Sequence, residues 1–327
     1  MTAVSQIDTG VWLRHAWRNR MQSLLSLAVM AGFLGLLGWL LWGASGLLIL
    51  LSVGMVAVLL NPAFSPWLVM RMYGARRLDQ DEAPVLWRAL SELTARAGLA
   101  SRPELFYVPS RMLNAFAVGT PEQSAIAVSG GLLRQLDRDE LIGVLAHEVS
   151  HIRSNDLWVM GLADLFSRAT SLLSLLGQFL LLLNLPLILF SQVTISWWVI
   201  LLLIFAPNLS ALAQLALSRT REYDADLNAA RLTGNPEGLA RALAKIERIQ
   251  GGWLERIFLP GRRVPEPSLL RTHPETEERI TRLMALKPEF KGAAHPWPRR
   301  ETVPDIDALL GARVQRVPHW HMNGLWY

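Results

Sequence analysis

The chain has 327 residues, seven histidines and no cysteine, so disulfide scaffolds are excluded and any transition-metal site must use nitrogen and oxygen ligands. Apolar residues make up 51% of it, and the formal net charge is +5. The basic residues gather beside apolar runs and no nucleic-acid motif accompanies them, so the charge points to anionic lipid headgroups rather than to nucleic acid.

No Asp, Glu, Lys or Arg occurs from Met21 to Met70, nor from Ala169 to Ser218. Each block holds 50 residues. As helix that is roughly 75 Å, against a bilayer core of about 30 Å, so each block suits two crossings joined by a tight turn. The turns are expected at Gly43-Ala44-Ser45-Gly46 and around Phe190-Ser191-Gln192. A buried core hairpin is the alternative, but helices in soluble cores seldom run so far without a charge. The first block also greatly exceeds the apolar stretch of a cleaved signal peptide.

Arg14, Arg18 and Arg20 precede the first block and Arg71, Arg76 and Arg77 follow it; Arg168 leads into the second, and Arg219 and Arg221 leave it. The turns carry no basic residue, so the positive-inside rule assigns both termini and all polar segments to the cytoplasm. Trp12, Trp17, Trp67, Trp197 and Trp198 stand near span ends, as interfacial anchors do. The expected partition is an N-terminal cytoplasmic segment at 1–20, a transmembrane hairpin at 21–62, a first polar part at 63–168, a second hairpin at 169–214, a second polar part at 215–290, and a Trp-, Pro- and Arg-rich tail at 291–327.

In the first polar part, Val85, Leu86, Leu90, Leu93 and Ala97 recur at helical spacing between Asp81 and Leu99. "PELFYVPS", "NAFAVGT" and "SAIAVSGG" then predict three short strands separated by turn residues. A largely buried helix follows in "LDRDELIGVLAHEVSHIRSND", with Asp137 or Asp139 to cap it.

On that helix His147 and His151 stand one turn apart on one face, a spacing that lets two imidazoles hold one Zn²⁺ at about 2.0–2.1 Å each. Glu148 lies about 100° round from His147, bordering the metal as a general base does. The plainer reading, two satisfied core histidines, requires burying both beside Glu148 at considerable cost. A catalytic zinc needs a third protein ligand and one open position. In "SRTREYDADLNAARL", Glu222 and Asp226 share a helix face at i and i+4. One could bind the metal while the other orients an imidazole. A solvated charged face beside Arg219 and Arg221 is the bland alternative, and spacing alone leaves the choice open.

Together, "HEVSH", "REYDAD", "NAFAVG" and "THPETEERI" resemble the HtpX family of integral-membrane zinc metallopeptidases, itself similar to CaaX prenyl-protein endopeptidases. The resemblance runs from about Asn61 to Leu286 and includes a hairpin between the histidine helix and the third ligand. It implies His147, His151 and Glu222 as ligands of one Zn²⁺ per chain, Glu148 as base, and Asp226 as the carboxylate supporting a ligand. It also implies that the segment Asn114, Ala115, Phe116, Ala117, Val118 and Gly119 borders the cleft as an edge strand able to pair with extended substrate; Asn114 holds substrate or is a plain turn residue. His273 caps the metal, stabilises the oxyanion, or simply starts a helix; Tyr223 is a further oxyanion donor by this comparison. In the tail, His319 and His321 fit aromatic packing on the catalytic domain or the lipid interface better than a second metal.

The resulting expectation is a mostly α membrane protein, two transmembrane helical hairpins carrying a cytoplasmic α+β, gluzincin-like zincin domain with a small β-sheet. Its expected activity is zinc-dependent endopeptidase cleavage of misfolded or damaged membrane proteins at the cytoplasmic face of a bacterial-type inner membrane. The partners are then polypeptide substrates and the lipid bilayer; nothing in the sequence fixes an oligomeric state. Cleavage of prenylated C-termini is the rival specificity, though four spans are few for a large intramembrane chamber. A non-catalytic zinc-stabilised scaffold is the rival class, and it has no use for Glu148.

Overall fold

The computed structural model describes residues 9–60, 66–183, 185, 197–250 and 276–286. Helix α1 (Thr9–Leu60) is broken at Gly43, where φ is 64° and ψ is −149°. Lacking a Cβ, glycine takes this backbone without strain, and the break falls in the stretch where the first turn is expected. Three helical stretches among the described residues are long and apolar enough to cross a membrane: Asn19–Leu40 in α1, Asp156–Leu183 (α6), and Ile200–Thr233 within α7 (Trp197–Thr233). Four crossings are expected from the sequence. The remaining arm, after Gly43, is helical as far as Leu60, where the described stretch stops. The second turn, around Phe190-Ser191-Gln192, lies outside the described residues, as do His273, His319, His321 and the whole tail at 291–327.

The chain divides into two compact units over its described residues. One contains Trp17–Pro62 and Trp158–Thr220, the other the residues up to Ala16, Ala63–Leu157 and the residues from Arg221 onward. In the first, Leu34 and Leu37 of α1 pack with Leu173 of α6 and with Leu203 and Ala206 of α7, and the Ser174 hydroxyl donates to the Leu203 carbonyl. Much of its apolar surface faces outward: Leu172 is 68% exposed and Trp198 79%. In water such a surface is unfavourable at about 25 cal/mol per Å², whereas in lipid it is the ordinary state of a spanning helix.

The second unit is built on a four-stranded sheet of order β1-β2-β4-β3, from β1 (Arg76–Arg77), β2 (Glu104–Val108), β3 (Ala115–Gly119) and β4 (Ser124–Ser129). β2 runs parallel to β4, while β1 and β3 run antiparallel to their neighbours. The last three are the expected strands. Their period of two sends Leu105, Tyr107, Ala115, Ala117, Ile126 and Val128 into the main core. Phe106, Phe116, Val118, Ala125 and Ala127 go to the other face, where Met70 of α2 (Pro66–Met72) covers them.

β3 is an edge, and among the described residues β4 is its partner strand. Ser129 N–H donates to Asn114 O at 2.9 Å and Thr120 N–H to Gln123 O at 2.9 Å. Hydrogen-bonded pairs alternate along an antiparallel ladder, so Phe116 and Val118 bond to β4. The N–H and C=O groups of Ala115, Ala117 and Gly119 therefore point away from β4, toward the edge.

Helix α3 (Pro84–Ala97), expected from its spacing, packs on α5 (Arg138–Arg153), which carries the H-E-x-x-H motif, and the short α4 (Gly130–Gln135) packs on β4. Asp137 caps α5 in a reciprocal capping box with Glu140. Gly143 lets the backbone of α8 (Pro236–Gln250) come close, since a Cβ there would lie 2.8 Å from Leu239 N. Lys245 of α8 bonds the buried Glu140 carboxylate at 2.6 Å. The histidine helix is thus held by sheet and helices along its length.

Candidate metal centre

Helix α5 supplies His147, Glu148 and His151; α7, past the end of its charge-free run at Ser218, supplies Glu222 and Asp226. The Nε2 atoms of the two histidines face each other at 3.1 Å, with the rings edge to face. Glu222 completes the group, its Oε2 3.4 Å from His147 Nε2 and its Oε1 3.5 Å from His151 Nε2. Ligand atoms of all three residues lie within 4.8 Å of one another. On the opposite side of the rings, Asp156 Oδ2 bonds His151 Nδ1 at 2.7 Å, and Asp226 Oδ1 lies 3.0 Å from His147 Nδ1, within ion-pair distance but without hydrogen-bond geometry. A carboxylate on Nδ1 favours the tautomer whose lone pair is on Nε2. Two such lone pairs and a carboxylate oxygen directed at one point are a donor set that suits a zinc ion.

The charges around these groups are balanced by two buried arginines. Arg279, on α9 (Thr276–Ala285), grips both Asp226 oxygens at 2.7 Å, and its Nη1 lies 3.0 Å from Glu222 Oε2. Burial alone would raise the Asp226 carboxyl, but the Arg279 guanidinium outweighs it and lowers it to about 2. Arg221 Nε donates to Asp156 Oδ1 at 2.6 Å, and its Nη2 bonds the same oxygen. Burial also favours neutral imidazoles, yet the carboxylates prevail. Asp226 and Glu222 raise His147, and Asp156 and Glu222 raise His151 well above 6.5.

Glu148 is buried beside His147, near enough to Arg279 for their charges to attract. Tyr223 is not among the converging groups: its hydroxyl donates to Glu278 Oε2, and the Arg282 guanidinium lies 3.7 Å over its ring. Asn114 is fixed by its backbone, its N–H donating to the Ser129 hydroxyl at 3.0 Å. Sequence reasoning missed Arg279, Asp156 and Arg221. Arg279 does stand in the quoted "THPETEERI", where its charge beside an acidic pair was the available signal.

A buried H-E-x-x-H helix joined by a glutamate from a later helix, in a chain with membrane-length apolar helices, defines a membrane metallopeptidase. Residues 80–287 match Peptidase family M48. The chain belongs to that family, and it is a metalloprotease. It is 34% identical over 306 residues to a Protease HtpX homolog of Pyrococcus furiosus, covering 86% of this chain and 98% of that protein. It is 37% identical over 278 residues to a Protease HtpX homolog of Aquifex aeolicus, covering 78% and 89%. Among solved structures, S. mikatae Ste24p aligns with a TM-score of 0.42 at 21% identity, over 83% of this chain and 66% of that one.

Proposed function

We propose that this protein is a membrane-bound zinc endopeptidase that cuts misfolded or damaged membrane proteins where they meet the cytoplasmic face of the inner membrane. The observation that carries this reading is the convergence of His147, His151 and Glu222 on one point, with Glu148 one residue from the first ligand. In this reading those three residues hold a single zinc ion, and Asp226 orients His147. When bound, zinc supplies Lewis acidity that polarises the scissile carbonyl and acidifies water.

The remaining steps belong to the chain. Glu148 accepts the proton of the attacking water and passes it to the leaving amine. Burial of the site keeps competing water away and strengthens its electrostatics. The outward backbone groups of Ala115, Ala117 and Gly119 take an extended substrate as an added strand, with little demand on side-chain identity. Such weak selectivity suits unfolded chains. The membrane-length helices and the arginines flanking them support a cytoplasmic catalytic domain with both termini on the same side.

The test is cleavage of an unfolded membrane protein by the purified protein in detergent, comparing wild type with Glu148→Gln. Loss of several orders of magnitude in turnover, with zinc retained, is the expected result. Equal turnover would remove Glu148 from the mechanism, and no zinc-dependent cleavage by either protein would favour a scaffold.

A further inference from the structure

After α5 ends at Arg153, the chain makes a single left-handed step at Asn155, φ 53°, and α6 starts at Asp156. Asparagine is among the few residues that accept this backbone. The step has a geometric consequence for His151. On an unbroken helix, a residue five positions later would stand about 140° round the axis and face elsewhere. With the break, the Asp156 carboxylate turns back to the His151 ring, Oδ2 to Nδ1 at 2.7 Å.

Asp156 is only 3% exposed and divides its two oxygens between two partners. Oδ2 serves His151 while Oδ1 takes both Nε and Nη2 of Arg221. Arg221 is itself buried, and its remaining Nη1 donates to Asp224 at 3.3 Å. With Oδ1 held by the Arg221 fork, the Asp156 carboxyl group is fixed in place and its Oδ2 stays on the imidazole. With Nδ1 engaged by Asp156, Nε2 is the ring nitrogen that faces His147 and Glu222.

We propose that Asp156 and Arg221 act as one positioning pair for His151, tying the orientation of this ring to the two helices that continue into apolar stretches. Asp156 is the first residue of α6, and Arg221 directly precedes Glu222 on α7. Displacing either helix root alters His151 and, through the chain, Glu222. The inference rests on His151 being a metal ligand.

The experiment measures zinc affinity of the full-length protein in detergent by competition with a chelator, together with thermal unfolding of the metal-free protein. Asp156→Asn, close to isosteric, should weaken zinc binding by about 10- to 100-fold. Arg221→Gln should weaken it too, and the double variant should bind no more weakly than Asp156→Asn alone, because the two residues act as a unit. A merely structural role would lower the unfolding temperature and leave zinc affinity of the folded protein within about twofold of wild type, which would overturn the proposal. If Asp156→Asn does not fold, Arg221→Lys decides: weaker zinc binding supports the pair, unchanged binding refutes it. Glu222→Ala serves as the control. Zinc lost there but kept in Asp156→Asn defeats the pair and leaves the metal site standing, whereas zinc kept in both Glu222→Ala and His151→Ala defeats both.

Discussion

Arg279 holds both carboxylate oxygens of Asp226 at 2.7 Å, although 53 residues separate them. Both side chains are almost wholly buried. Removing one partner of such a pair strands the other charge, at a typical cost of about 3–5 kcal/mol. Arg279→Met should therefore destabilise the protein by that order in thermal or denaturant unfolding, and should also weaken zinc binding because Asp226 no longer has a fixed position. Combining it with Asp226→Leu should restore most of the stability and none of the zinc affinity. Restoration of both would make the pair a packing feature alone.

The pH dependence of metal binding follows from the same charges. His147 and His151 are raised above 6.5 in the folded protein, so in the metal-free state they stabilise the fold fully below about pH 6.5 and lose that contribution as pH rises through their folded values. Zinc requires both rings deprotonated, so protons compete with it over the same range. Chelator competition should show apparent zinc affinity climbing as pH rises above 6.5, with protons released on binding. A flat profile would mean that the rings are already neutral. Asp226 has the opposite sign: its contribution is present above 3.8 and is lost as pH falls toward about 2.

Edge pairing by β3 is tested by proline at two neighbouring positions. Proline at Ala117 removes an N–H that points to the edge, while proline at Phe116 removes one that bonds to β4. Ala117→Pro should fold, keep zinc, and lose about tenfold or more in kcat/KM, the equivalent of one or two backbone hydrogen bonds at about 1 kcal/mol each. Phe116→Pro should chiefly lower stability. Unchanged cleavage by a folded Ala117→Pro protein would count against β3 as the substrate platform.

What could be read in the sequence was whatever a short window encodes. The H-E-x-x-H turn of α5, its cap at Asp137 (one of the two aspartates expected), the short runs of β2 to β4 between turn residues and the stripe of α3 are all local signals, and each is present. β1 escaped notice because two exposed arginines show no alternation. Arg279 escaped because its contact with His147 spans 132 residues, and the acidic pair beside it reads equally well as a solvated face. Asp156 was hidden by Asn155, since helical spacing continued past the break sends it to the wrong face. Tyr223 shows the reverse: next to Glu222 in sequence, it is about 100° round the helix and faces Glu278 instead.

The central claim, that Glu222 completes the zinc site while Glu148 does the proton work, is tested most directly by zinc content of purified variants. Glu222→Ala leaves two imidazoles, too few for tight binding, whereas Glu148→Gln removes no ligand and Asp226→Ala removes only a supporting carboxylate. Wild type and Glu148→Gln should carry about one zinc per chain and Asp226→Ala should fill at saturating zinc, while Glu222→Ala should purify almost metal-free. A full complement of zinc in Glu222→Ala would contradict the account and move the third ligand elsewhere.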